Sequence, residues 1–147
     1  MESAVEISSA VLRRVAALVT CPEEQCGLLR GRRARVIQAV PCANVSLTPR
    51  DRFEIDPAAL IAAHRAARRR GGLSLLGYFH THPMSDAMPS RADAEGALPD
   101  GLLWLIAAPG ELRLWRAVAH GAVHGRFDPV PHAIMGGKSP AIRLGTF

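Results

Sequence analysis

Cysteine is scarce and forms no pattern: Cys21, Cys26 and Cys42 are three in 147 residues, and no two make a C-x-x-C. An odd count without a framework excludes a disulfide-stapled scaffold and a cysteine-built structural metal site, and it fits a reducing compartment. Long apolar runs are missing too; none approaches the ~18 consecutive residues that a membrane-spanning helix needs. The opening Met1-Glu2-Ser3-Ala4-Val5-Glu6 has neither the basic nor the apolar segment of a secretory signal, so a cytoplasmic protein with no membrane partner is expected. Lysine is almost absent. Lys138 is the only one, and the net charge of +5 rests on arginine. The runs Arg30-Gly31-Arg32-Arg33-Ala34-Arg35 and Arg68-Arg69-Arg70 read as solvated turn and helix-end charges, not as a stripe for nucleic acid. There is no internal repeat and no low-complexity stretch.

What is present is an ordinary globular composition, 48% apolar and 21% charged. Its length suits one domain with its own core, spanning 1–147. Ser8 or Ser9 caps an opening helix in which Ile7, Val11, Leu12, Val15 and Val19 recur at helical spacing. Residues 25–30 and 35–40 read as two strands joined through Gly31-Arg32-Arg33. Asp56 and Pro57 are an N-cap and first-turn proline for a second helix reaching about Arg70, where Gly71-Gly72 stops it. Leu75–His80 is a third strand. Ser90 opens a short helix to about Ala97. Leu102–Ala107 is apolar throughout, as in a strand covered on both faces. Pro109-Gly110 then turns the chain into the alternating Leu112–Arg116. The Gly/Pro-rich tail after Pro129 carries no assignment. This order predicts an α/β fold, a single mixed β-sheet flanked by helices.

The chemistry is concentrated in Gly77-Tyr78-Phe79-His80-Thr81-His82-Pro83 and in Ser90 and Asp93, which follow in the order H-T-H-x7-S-x2-D. Alternation along a strand points His80 and His82 the same way, with Cα atoms ~6–7 Å apart. Both imidazoles then reach one ion at ~2.0–2.1 Å, and Asp93 supplies a third ligand, leaving a fourth position for water. Each part also has a plainer explanation. Ser90-x-x-Asp93 is the pattern of a helix capping box, His-x-His alone is weak, and Glu24 stands beside another acid, Glu23.

Taken together, His80-Thr81-His82-Pro83, Pro89-Ser90 and Asp93 resemble the JAMM motif of the MPN+ zinc metalloproteases, in particular their short bacterial-type stand-alone members. Pro22-Glu23-Glu24-Gln25-Cys26-Gly27-Leu28-Leu29 is similar to that family's P-x-E-x-C-G-L-L segment. Arg52-Phe53-Glu54-Ile55-Asp56-Pro57 matches the stretch before its second helix. The resemblance implies a cytidine deaminase-like (MPN/JAB) architecture and one zinc ion held by His80, His82 and Asp93. It further implies Glu24 as the acid–base group and Ser90 as support for the oxyanion. Thr81, where serine is frequent, points away from the metal and is expected to matter little. The implied reaction is hydrolysis of an amide or isopeptide bond after the Gly-Gly tail of a ubiquitin-like sulfur-carrier protein. The alternatives are a catalytically silent MPN scaffold and a RadC-like DNA-associated protein; Cys26-Gly27-Leu28-Leu29 speaks against the second. A zinc nucleoside deaminase is excluded because Pro41-Cys42-Ala43-Asn44 lacks the second cysteine of P-C-x-x-C.

Overall fold

A computed structural model describes residues 4–135 and the backbone of 143–144; the acidic N-terminus at 1–3 and most of the Gly/Pro-rich tail, Lys138 included, lie outside the described residues. Nine strands form one mixed sheet in the order β7-β6-β5-β4-β2-β3-β1-β8, with β9 beside β6. In chain order these are β1 (Val5–Ser8), α1 (Ser9–Ala17), β2 (Cys26–Arg32), β3 (Arg35–Cys42), α2 (Pro57–Ala67), β4 (Ser74–Thr81), α3 (Arg91–Gly96), β5 (Leu103–Ala108), β6 (Glu111–Gly121), β7 (Gly125–Pro129), β8 (His132–Met135) and β9 (Arg143–Leu144). The expected mixed sheet with flanking helices is the architecture found.

The start of the chain departs from expectation. Val5 and Ile7 are buried on a strand, parallel to both β3 and β8, and the helix begins only after Ser8, whose side chain accepts from the Ala10 N–H at 3.2 Å. Ile7 satisfies a two-residue and a helical period at once, so periodicity could not separate the elements. Val19 falls in a 3₁₀ turn, Leu18–Thr20. The β2–β3 turn is Arg33-Ala34, with Arg33 at φ 55°, and Gly31 is inside the strand. The second helix stops at Ala67, before the arginine run, while Asp56 caps it by accepting from the Ala58 N–H at 2.9 Å. The expected hairpin is present, turning at Gly110 with φ 72°.

The sheet has two unlike faces. On one, α1 packs Val11, Leu12 and Val15 over Leu29, Val36, Phe79, Leu105 and Leu114. On the other, α2 covers Cys26 and Leu28 through Ala63, and the segment around α3 covers Trp104, Ile106, Trp115 and Phe127. Every residue of β5 is buried, as its unbroken apolar run predicts. The central strand β4 lies antiparallel to β2 and parallel to β5, pairing His80 with Cys26 on one side and with Ile106 on the other. The end of β4 therefore meets the beginning of β2. Gly27 makes this close approach possible: a Cβ there would stand 2.2 Å from the Val40 carbonyl oxygen and 2.3 Å from the Phe79 ring. Among the described residues, no helix is long and apolar enough to cross a membrane.

Candidate metal centre

Sheet register brings the site together. Cys26 pairs with His80, so the segment before β2 continues alongside the segment after β4. Two bonds extend the pairing by one residue: the Thr81 N–H donates to the Gln25 carbonyl at 2.9 Å, and the Gln25 N–H donates to Thr81 Oγ1 at 2.8 Å. Thr81 does point away from the histidines, yet it is fully buried and its hydroxyl pins the residue next to Glu24. A serine hydroxyl could accept the same bond, so threonine here keeps what the position supplies: an oxygen that holds the residue next to Glu24. Glu24 is buried at 6% exposure while its neighbour Glu23 is exposed, a distinction that two adjacent glutamates do not reveal in sequence.

Glu24, His80, His82 and Asp93 are all buried, and one ligand-type atom from each lies within 4.8 Å of the others. The two Nε2 atoms are 3.0 Å apart, and the Asp93 carboxylate is 3.1 Å from that of His80 and 3.2 Å from that of His82. Donors at ~2.0–2.1 Å around one tetrahedral ion would stand about 3.3–3.4 Å from each other, so the trio already has nearly that spacing. The His82 Nδ1 hydrogen is held by the Asp86 carbonyl at 2.8 Å, and because a carbonyl only accepts, Nε2 is left with its lone pair toward the cluster. Glu24 Oε1 is buried with no hydrogen-bond partner, a costly state that a neighbouring cation or water would relieve. The four residues can hold a metal ion.

Ser90 and Asp93 form the capping box of α3: the Asp93 N–H donates to Ser90 Oγ at 3.0 Å, and the Ser90 N–H donates to Asp93 Oδ2 at 2.9 Å. The plain explanation and the functional one are thus both true of Asp93. Capping orients the carboxylate, and the oxygen so oriented faces the histidines. Ser90 Oγ receives a bond through its lone pair, which leaves its own hydrogen available.

Burial and mutual charge set the protonation of the metal-free cluster. Burial pushes the Glu24 carboxyl up to about 7; the His82 charge pulls it down, and Asp93 and Asp51 push it up. His80 is lowered by complete burial, against the pull of Asp93. Burial also works against a charged His82, but the hydrogen bond and charge of Asp93, with smaller help from the Asp86 carbonyl and Glu24, raise it. Asp93 is desolvated too, yet the two histidines hold it well below the ordinary carboxylate range. A carboxylate held in its ionised form, two imidazoles and a glutamate raised by burial are groups that can hold a cation.

Sequence reasoning missed three contributors. Phe53 stacks on His80 at a centroid distance of 4.3 Å and an interplanar angle of 25°, and Trp104 meets the same imidazole edge-on at 5.6 Å. The third is Asn44, which bonds the backbone of Glu24. Trp104 lies on β5, whose unbroken apolar run does not say which side chain meets the histidine, and Phe53 and Asn44 lie on the 43–55 connection, where no spacing is readable. The other histidines stay outside the cluster; His124, for instance, bonds the Pro89 carbonyl at 3.1 Å and braces the approach to Ser90.

Comparison with known proteins agrees with this geometry. Residues 8–118 match the family of prokaryotic homologs of the JAB domain. A desampylase of Haloferax volcanii is 38% identical over 90 residues, covering 60% of this chain and 64% of that protein. A probable TtuB-protein conjugate cleaving protease of Thermus thermophilus is 42% identical over 76 residues, covering 52% and 50% respectively. The chain thus spans between half and two thirds of the length of the curated relatives it matches. Among solved structures, a protein from Desulfitobacterium hafniense superposes with a TM-score of 0.75 at 25% identity, covering 90% of this chain and 94% of that one. A JAB1/MPN domain protein from Archaeoglobus fulgidus superposes with a TM-score of 0.51 at 16% identity, covering 90% and 99%. A histidine pair on the central strand, a capping aspartate and a buried glutamate are set in a sheet of the same architecture, and the chain belongs to the prokaryotic JAB-domain family.

Proposed function

We propose that this protein is a zinc-dependent peptidase hydrolysing an amide or isopeptide bond, with His80, His82 and Asp93 as the metal ligands. The observation that carries the reading is the buried convergence of those three with Glu24. Nitrogen and oxygen donors in a near-tetrahedral set suit zinc, which when bound acts as a Lewis acid on a carbonyl and makes water acidic. The remaining work falls to the chain. Glu24, raised to about 7 in the metal-free site, is poised to take a proton from the attacking water and pass it to the departing amine. Ser90, with its hydroxyl hydrogen uncommitted, donates to the oxygen that gains charge as the carbonyl is attacked. A catalytically silent scaffold would have no need of a desolvated, unpartnered glutamate.

The substrate reading follows from the relatives. Proteins named as a desampylase and as a TtuB-conjugate cleaving protease share this segment. On that basis the target is a ubiquitin-like protein of the sulfur-carrier type, cleaved after its Gly-Gly tail, in the cytoplasm. A groove of about 420 Å³ runs past Asp93, with Phe53, Tyr78 and Trp104 among its apolar walls, and gives the tail a seat beside the ligands. The test is to load purified protein with zinc, incubate it with carrier conjugates ending in Gly-Gly, and follow the products by mass spectrometry. One tightly held zinc per chain and cleavage after the second glycine are expected. A zinc-loaded protein that leaves every conjugate intact would refute the peptidase.

A further inference from the structure

His80 and His82 are oriented in different ways. His82 has the hydrogen-bonded arrangement usual for a metal-ligating imidazole, its second nitrogen tied to a backbone carbonyl. His80 Nδ1 is buried with no hydrogen-bond partner. Besides its Nε2 contacts with Asp93 and His82, that ring is oriented by packing, against the stacked Phe53 and the edge-on Trp104. Phe53 lies on the 43–55 connection, outside any helix or strand longer than a single bridge, so its own position needs a cause.

Asn44 supplies it. Its Oδ1 accepts from the Ser46 N–H at 3.1 Å and the Glu54 N–H at 3.0 Å; its Nδ2 donates to the Glu24 carbonyl at 2.9 Å and the Arg52 carbonyl at 3.0 Å. Donors on one side and acceptors on the other fix the amide's orientation, and all four of its bonding positions are used. Arg52 and Glu54 are the two residues flanking Phe53, so the amide grips the backbone on both sides of the ring. The same side chain holds the Glu24 peptide from its carbonyl side, while the Glu24 N–H donates to the Pro49 carbonyl at 2.8 Å. One residue therefore joins the glutamate to the ring that backs His80.

We infer that Asn44 is a positioning residue that sets the Glu24 backbone, and so its carboxylate, and, through Phe53, the plane of the His80 imidazole that a bound ion requires. The inference rests on the metal-dependent reading above. Removing such an outer partner typically weakens metal binding about 10- to 100-fold. Zinc titration of Asn44→Ala against a chromophoric chelator, at a temperature where circular dichroism shows it folded, should give a loss in that range. Phe53→Leu should weaken zinc too, while Leu47→Ser, at a fully exposed position of the same connection, should match the parent. At saturating zinc, Asn44→Ala should lower kcat with KM nearly unchanged, because Glu24 is displaced as well. A merely structural role would lower the melting temperature and leave the zinc affinity of the folded protein alone. Parent-like zinc affinity in folded Asn44→Ala overturns the inference; if that variant does not fold, parent-like affinity in Phe53→Leu does so. The titration needs no substrate, so absence of cleavage by the parent refutes the peptidase reading separately.

Discussion

Replacing Glu24 by glutamine tests the electrostatics of the site in two states of the protein. In the metal-free state the Glu24 carboxyl is raised from 4.5 to about 7 by burial. A folded-state pKa above the unfolded one means that the native protein binds the proton more tightly. Below about 4.5 the carboxyl is neutral in both states and costs nothing by this route. Stability is then lost as pH rises towards 7, because the native chain must hold a desolvated charge that the unfolded chain exposes to water. At about 1.4 kcal/mol per pH unit, the gap corresponds to roughly 3 kcal/mol once both states are ionised. Glutamine cannot ionise and removes this pH-dependent part, while its own packing and bonding add an offset that does not change with pH. Urea unfolding with a chelator present, at pH 4.5, 6 and 8, should show the stability difference between Glu24→Gln and parent moving in the variant's favour by about 3 kcal/mol across that range. A flat difference would refute the desolvated-glutamate argument. With zinc supplied, the same variant should keep its metal and lose turnover by about 10²–10⁴-fold, the scale of general acid–base catalysis.

Other outcomes follow from the same geometry. His82→Ala leaves two ligands of three, and metal analysis after dialysis should find no zinc. Thr81→Val keeps the volume but deprives the Gln25 N–H of its acceptor; unfolding should show a loss of about 1–3 kcal/mol, and cleavage should slow because the start of β2 is loosened. Cys26 is buried, and its thiol is pushed up to about 12, with Cys42 and Glu24 adding to the effect of burial. At pH 8 iodoacetamide should therefore leave Cys26 unmodified in the folded protein and label it only after unfolding, as read by peptide mass mapping.

Much of this site was legible because three of its four residues are local in sequence. His80, His82 and Asp93 lie within one strand–loop–helix stretch, where alternation and capping chemistry fix directions over a few residues. Asp56 and Ser90 capped helices as their types predict, and the apolar run of β5 proved buried throughout. What stayed hidden depends on pairing between distant segments. Strand β1 is marked only by Val5 and Ile7 and is held by parallel neighbours from residues 35–36 and 132–135. The bond from Gln25 to Thr81 and the four bonds of Asn44 likewise join backbone groups whose proximity no local pattern encodes. Thr81 was read correctly for direction; that its hydroxyl, facing away from the histidines, holds the segment carrying Glu24 was beyond any local pattern.

The antiparallel zipping of β2 against β4 has a bearing on the order of assembly. An unfolded chain offers a cation only the short His80-to-Asp93 stretch, a weak and floppy chelate. Glu24 lies far upstream and joins that stretch only where β2 pairs with β4. A cation seated among these four groups would act as a non-covalent staple between residue 24 and residues 80–93, two stretches otherwise joined by the β2–β4 ladder.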